Sequence, residues 1–127
     1  MGGFMSRILV VDDEPEIVAI LKTFLRRSGF KVTTASGGER ALKILRSGIK
    51  IDVMVIDMKM PGTKGIDVLR QMKKMRRKVP VIILTGSIDL ERYANDFREL
   101  GYTTDDALLK PADLKVLLDM VKNKLGR

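Results

Sequence analysis

Five short apolar runs alternate with five stretches of helical periodicity, and few architectures accommodate that order. The runs are Ile8-Leu9-Val10-Val11, Phe30 to Thr34, Val53-Met54-Val55-Ile56, Val81-Ile82-Ile83-Leu84 and Ala107-Leu108-Leu109. Between them, apolar residues recur at helical spacing: Ile17/Ile20/Leu21/Phe24, Ala41/Leu42/Ile44/Leu45, Ile66/Leu69/Met72, Leu90/Tyr93/Ala94/Phe97 and Leu114/Leu117/Leu118/Val121. Strict alternation of strand and helix predicts an α/β fold, a parallel sheet covered by helices on both faces. The first, third and fourth runs are apolar throughout, as strands buried on both sides should be. Phe30-Lys31-Val32-Thr33-Thr34 alternates in polarity and suits an exposed edge. Pro15 fits a first helical turn, Ser36 is a candidate cap for the second helix, and Ser28-Gly29 and Ser47-Gly48 close helices. Pro61-Gly62 breaks the chain after the third strand, and Pro80 is tolerable only where a strand begins.

Composition removes several classes of chemistry. The 127 residues suffice for one domain, and no apolar run approaches the roughly 18 residues of a membrane span. Cysteine is absent, which excludes disulfides and thiolate metal sites and makes a reducing cytoplasm the expected setting. Histidine is absent too, so imidazole general bases, the usual nucleophilic triads and imidazole metal sites are excluded. Lys+Arg 24 against Asp+Glu 16 leaves +8. The densest basic cluster, Lys73-Lys74-Met75-Arg76-Arg77-Lys78, sits late in a helical segment, as do Arg26-Arg27 and Lys122/Lys124. Cations there complement the helix dipole and face water, and aromatic stacking platforms are scarce, so no direct nucleic-acid binding is expected.

The polar residues fall where four of the five strands end. The first strand runs into Asp12-Asp13, the third into Asp57, the fourth into Thr85 and the fifth into Lys110-Pro111. In a doubly wound sheet of order 2-1-3-4-5 these four strands are consecutive neighbours, and ligands bind outside their carboxyl ends. Three carboxylates, a hydroxyl and an ammonium would then converge on one small pocket. Carboxylates so close repel one another and call for a cation; hard oxygen ligands without His or Cys point to Mg²⁺. Such a site suits a phosphoryl group, and a carboxylate can be the nucleophile that forms an acyl phosphate. Singly, each residue has an ordinary explanation as a cap, a turn residue or a helix start. Their joint placement does not.

Val10-Val11-Asp12-Asp13-Glu14-Pro15, Asp57-Met58-Lys59-Met60-Pro61-Gly62 with Gly65 beyond, Leu84-Thr85-Gly86 and Leu109-Lys110-Pro111 together resemble the receiver domain of two-component response regulators. The resemblance implies a flavodoxin-like three-layer αβα sandwich over residues 6–125, with residues 1–5 a leader or tail. The opening Met1-Gly2-Gly3-Phe4-Met5-Ser6 formally matches a myristoylation signal but is better read as a leader or start-site ambiguity. By the resemblance, Asp57 accepts a phosphoryl group from a sensor histidine kinase or a histidine phosphotransfer protein. Mg²⁺ is held by Asp12, Asp13, Asp57 and the Lys59 backbone carbonyl. Thr85 and Lys110 bind the phosphoryl oxygens, Gly86 leaves the pocket mouth open, and Lys59 and Ser87 tune hydrolysis. The domain is expected to act by a conformational change of the face formed by the fourth helix, fifth strand and fifth helix. It is expected to be cytoplasmic, off the membrane, and a monomer or a phosphorylation-dependent dimer, catalysing nothing beyond its own phosphorylation and dephosphorylation.

The sequence departs from the receiver pattern in places. Ala107 occupies the position where receivers usually carry a switching Tyr or Phe. The loop Gly101-Tyr102-Thr103-Thr104-Asp105-Asp106 is a little long; Tyr102 is either a displaced switch ring or, as loop aromatics mostly are, a packing residue. An alternative is a receiver portion of a larger DNA-binding regulator or hybrid histidine kinase. A haloacid-dehalogenase-like phosphatase fits less well, because Lys59 stands where it needs a second Asp. A flavodoxin-like cofactor binder shares the strand order but would need a glycine-rich phosphate loop, which does not occur.

Overall fold

The computed structural model describes residues 5–127, so the expected leader lies, apart from Met5, outside the described residues, as does most of the myristoylation-like motif. Strands β1 (Arg7–Val11), β2 (Lys31–Ala35), β3 (Val53–Asp57), β4 (Val81–Thr85) and β5 (Ala107–Leu109) form one sheet. All pairs are parallel, as the alternation predicts, and the order is β2-β1-β3-β4-β5, that of the expected doubly wound sheet. The helices are α1 (Pro15–Arg27), α2 (Gly38–Arg46), α3 (Gly65–Lys74), α4 (Ser87–Arg92), α5 (Ala94–Glu99) and α6 (Leu114–Lys124).

Side chains alternate across the sheet into two apolar layers. Ile8, Val10, Val53 and Val55 pack with Leu21 and Leu25 of α1 and Leu117 and Val121 of α6. Leu9, Val11, Met54 and Ile56 face α2 and α3, with Phe97 of α5 closing the same layer. Every residue of β3 and β4 is buried, which is why those runs carry no polar residue until Asp57 and Thr85 at their ends. Each fully buried Val, Ile or Leu stabilises by about 1.5–3 kcal/mol relative to exposure. The central strands are therefore the stiffest place from which to present a functional side chain. The edge strand β2 is less covered: Lys31 is exposed, Thr33 and Thr34 are half-buried, and Val32 and Ala35 are buried.

Three local expectations are corrected. The second strand is shifted by one residue relative to Phe30–Thr34, because Phe30 bonds backward: its N–H donates to the Leu25 carbonyl at 3.2 Å, within the α1 cap. Ser36 does not cap α2; Gly37 is the N-cap, and no side chain closes the first turn. The fourth helical pattern is two short helices rather than one. Tyr93, at φ −101° and ψ 10°, interrupts the backbone between α4 and α5, although apolar spacing runs on to Phe97. Among the described residues, no helix is long and apolar enough to cross a membrane.

Candidate functional site

The ends of β1, β3, β4 and β5 are neighbours, so residues far apart in sequence meet there. Asp57 closes β3 opposite Leu84 in the register, and the Met58 N–H donates to the Leu84 carbonyl at 3.0 Å, tying the two strand ends together. The Lys110 N–H donates to the Thr85 carbonyl at 3.0 Å and does the same for β5 and β4. Asp12 follows β1 directly; its N–H donates to the Ala35 carbonyl at 3.1 Å, and its Oδ1 accepts from the Glu14 N–H at 2.9 Å. That turn leads into α1, where Glu14 is the N-cap and Pro15 begins the first turn.

Asp12, Asp13 and Asp57 each offer a carboxylate oxygen to one small cluster, with those oxygens within 4.8 Å of one another. Asp12 and Asp57 are each only 1% exposed, and Asp13 is half-buried. Lys110 reaches in from β5, its Nζ 2.5 Å from Asp57 Oδ1. The same oxygen accepts a long 3.4 Å hydrogen bond from the Lys59 N–H. Two buried oxygens, Asp12 Oδ2 and Asp57 Oδ2, have no hydrogen-bond partner. Buried acceptors are rarely left so, and a vacant lone pair on each of two adjacent carboxylates is what an oxygen-seeking cation would use.

Burial raises the Asp12 carboxyl above its ordinary range. The negative charges of Asp57 and Asp13 push the same way, against the Glu14 N–H and Lys110. A folded-state value above the unfolded one favours the fold while the group is protonated, and that contribution is lost as pH rises through the folded value. In chelator, Asp12→Asn is therefore expected to be more stable than the parent at pH 7, with the gap closing toward pH 4; urea denaturation across that range checks it.

Thr85 is buried beside the cluster, and its hydroxyl donates to the Gly86 carbonyl at 3.2 Å. Gly86 has an unstrained backbone, and a Cβ there would meet nothing within 4 Å, consistent with an open mouth. Lys59 and Ser87 are exposed at the same end of the sheet. Ala107 is half-buried at the opposite end of β5 from Lys110. Tyr102 is not beside Thr85. Its half-buried ring packs on the apolar layer that holds Phe97 and lines a cleft with Val79 and Pro80, at the start of β4, whereas Thr85 is at its end.

Gly65 carries a constraint that the sequence reading leaves unexplained. A Cβ on it would lie 2.6 Å from the Asp57 carbonyl oxygen and 2.9 Å from Met58 Cα. Its N–H donates to the Met58 carbonyl at 3.2 Å, so the first turn of α3 rests directly on the backbone that aims Asp57. A glycine opening a helix shortly after Pro61-Gly62 was the available signal.

The family profile of the response regulator receiver domain matches residues 8–122. The chain belongs to that family. Response regulators named SaeR from Staphylococcus epidermidis and Staphylococcus aureus are 36% and 34% identical over 123 residues, which is 97% of this chain. The match covers 52% of those proteins, so the chain spans about half the length of the curated relatives it matches. A response regulator receiver domain from Clostridium thermocellum superposes with a TM-score of 0.85 at 36% identity, covering 97% of this chain and 96% of that one. The chemotaxis protein CheY4 of Vibrio cholerae superposes at 0.81 with 26% identity, over 96% of this receiver and 100% of that chain. The fold and family expected from the motifs are thus both found.

Proposed function

We propose that this receiver is a phosphoacceptor in which Asp57 is transiently converted to an acyl phosphate by a phosphoryl group from a histidine kinase or histidine phosphotransfer protein. The observation that carries the reading is the convergence of three carboxylates and Lys110 on one point, with two buried carboxylate oxygens left uncommitted. Asp12, Asp13 and Asp57, with the Lys59 carbonyl, would hold Mg²⁺, and their all-oxygen donor set suits it. When bound, the ion supplies charge compensation for the carboxylates and for the incoming phosphoryl oxygens.

The chain's own residues do the rest. Lys110 and the Lys59 N–H fix Asp57 through Oδ1, which orients the carboxylate. A carboxylate oxygen attacks phosphorus; the new P–O bond forms as the donor's P–N bond breaks. The bonding pair leaves on the imidazole nitrogen, which is protonated from solvent. Lys110 can then pair with the phosphoryl oxygens, and Thr85 can exchange its weak bond to the Gly86 carbonyl for one to phosphate. That exchange adds charge and a hydrogen bond to one of two arrangements of the segment after β4, and so biases the face of α4, α5, β5 and α6. The domain is a signalling element whose chemistry is its own modification, and residues 6–125 form its working unit.

The test is incubation with acetyl phosphate, with Mg²⁺ or with chelator, read by intact mass. One phosphoryl adduct that requires Mg²⁺ supports the proposal; steady hydrolysis of unrelated phosphomonoesters would instead indicate a phosphatase. Lys59 and Ser87, exposed at the mouth, set water access to the ester. Lys59→Ala is expected to change the dephosphorylation rate about threefold or more, a change in barrier of about 0.7 kcal/mol; an unchanged rate removes Lys59 from that role.

A further inference from the structure

We propose that the cleft beside the C-terminal end of α3 binds a small amphipathic anion, an aromatic or acyl body carrying one phosphate, sulfonate or carboxylate head. The cleft has a volume of 530 Å³, within the range of about 300–1,000 Å³ typical of small-molecule sites. It lies toward the strand starts, away from Asp57. Its walls are apolar: Leu69 and Met72 of α3, Val79 and Pro80 ahead of β4, and Leu100 and Tyr102 after α5. Its rim is cationic, formed by Lys73, Arg76, Arg77 and Lys78.

No Asp or Glu lines the cleft, and none of the four cations is ion-paired among the described residues. Lys73 Nζ donates to the Glu99 carbonyl at 2.9 Å, and Arg77 Nη2 to the Ile49 carbonyl at 2.6 Å. Those neutral acceptors engage Lys73 and Arg77 without cancelling their charge. A positive rim above an apolar floor selects a negative head, while the floor favours a body that displaces water from it.

Arg76 supplies an independent observation. Its φ is +57°, and every other described residue with positive φ is a glycine: Gly29, Gly48, Gly62, Gly101 and Gly126. The Arg76 N–H donates to the Lys73 carbonyl at 3.1 Å and the Arg77 N–H to the Met72 carbonyl at 3.0 Å, the closing pattern of a helix in which glycine normally takes this position. An arginine held in a left-handed conformation is strained, and such strain marks a side chain retained for something other than stability.

The probe is 1-anilinonaphthalene-8-sulfonate, followed by fluorescence and by backbone amide shifts of the whole chain. Saturable binding is expected, with shifts confined to Leu69–Val79 and Leu100–Tyr102. Octyl phosphate should displace the probe, and inorganic phosphate, which has the head alone, should not. Arg76→Gly is expected to weaken probe binding about fivefold, the scale of one partly exposed ion pair, while its melting temperature stays equal or rises. That opposition of signs separates a binding role from a structural one. Shifts centred elsewhere, equal displacement by inorganic phosphate, or unchanged affinity in Arg76→Gly would each overturn the proposal.

Discussion

Asp57→Asn is expected to abolish the phosphoryl adduct while leaving the domain folded. The amide keeps the shape of the side chain and can still accept from Lys110 and the Lys59 N–H, which now meet Oδ1 of the carboxylate. It lacks the anionic oxygen that attacks phosphorus. Removing a reacting group outright lowers rates by at least about a thousandfold, so intact mass after incubation with acetyl phosphate and Mg²⁺ should show only unmodified protein. The substitution also relieves the repulsion that Asp57 exerts on the buried Asp12 carboxyl. In chelator the variant is accordingly expected to melt no lower than the parent. An adduct of undiminished yield would move the chemistry to another carboxylate.

Gly65→Ala is expected to destabilise the domain and to disturb the position of Asp57 together. The added carbon would sit 2.6 Å from the Asp57 carbonyl oxygen and 2.9 Å from Met58 Cα, and both are backbone atoms of the segment that presents Asp57. No rotamer change relieves a clash with backbone. Either α3 lifts off the β3 end or Asp57 is displaced from Asp12 and Lys110. Overpacking of this kind costs about 3 kcal/mol, or roughly 10 °C in melting temperature, and slower phosphorylation should accompany it. Gly86→Ala is the control, because its Cβ meets nothing within 4 Å and its φ of −78° suits any residue; its stability should be unchanged. Equal melting temperatures for Gly65→Ala and the parent would show that the contact between α3 and the β3 end does not position the site.

Much of this was legible without coordinates, for physical reasons that can be named. Strands covered on both faces must be apolar throughout, so the first polar residue after each marks its end. Asp12, Asp57 and Thr85 could therefore be placed from the pattern, and Lys110 from the short apolar run of the edge strand before it. What the pattern missed depends on single dihedrals or on approach between distant segments. The break at Tyr93 is invisible because Leu90, Tyr93, Ala94 and Phe97 keep helical spacing on both sides of it. Ser36 is a good capping residue by type, yet the helix begins beyond its reach, with Gly37 as N-cap. The need for glycine at position 65 arises from the backbone of residues 57 and 58; its place at a helix start after Pro61-Gly62 hints at a constraint but does not show what it touches. The Lys73–Lys78 run reads as a solvated helix end, and only the fold shows that four of its cations surround an apolar cleft.

The most direct measurement is the location of the modified residue. After reaction with acetyl phosphate and Mg²⁺, borohydride reduction converts an aspartyl phosphate to homoserine with loss of phosphate, which peptide mass spectrometry can assign. Homoserine at position 57 alone is the expected result. Homoserine at position 12 or 13, or an adduct on a hydroxyl that resists reduction, would contradict the assignment of Asp57 as the acceptor.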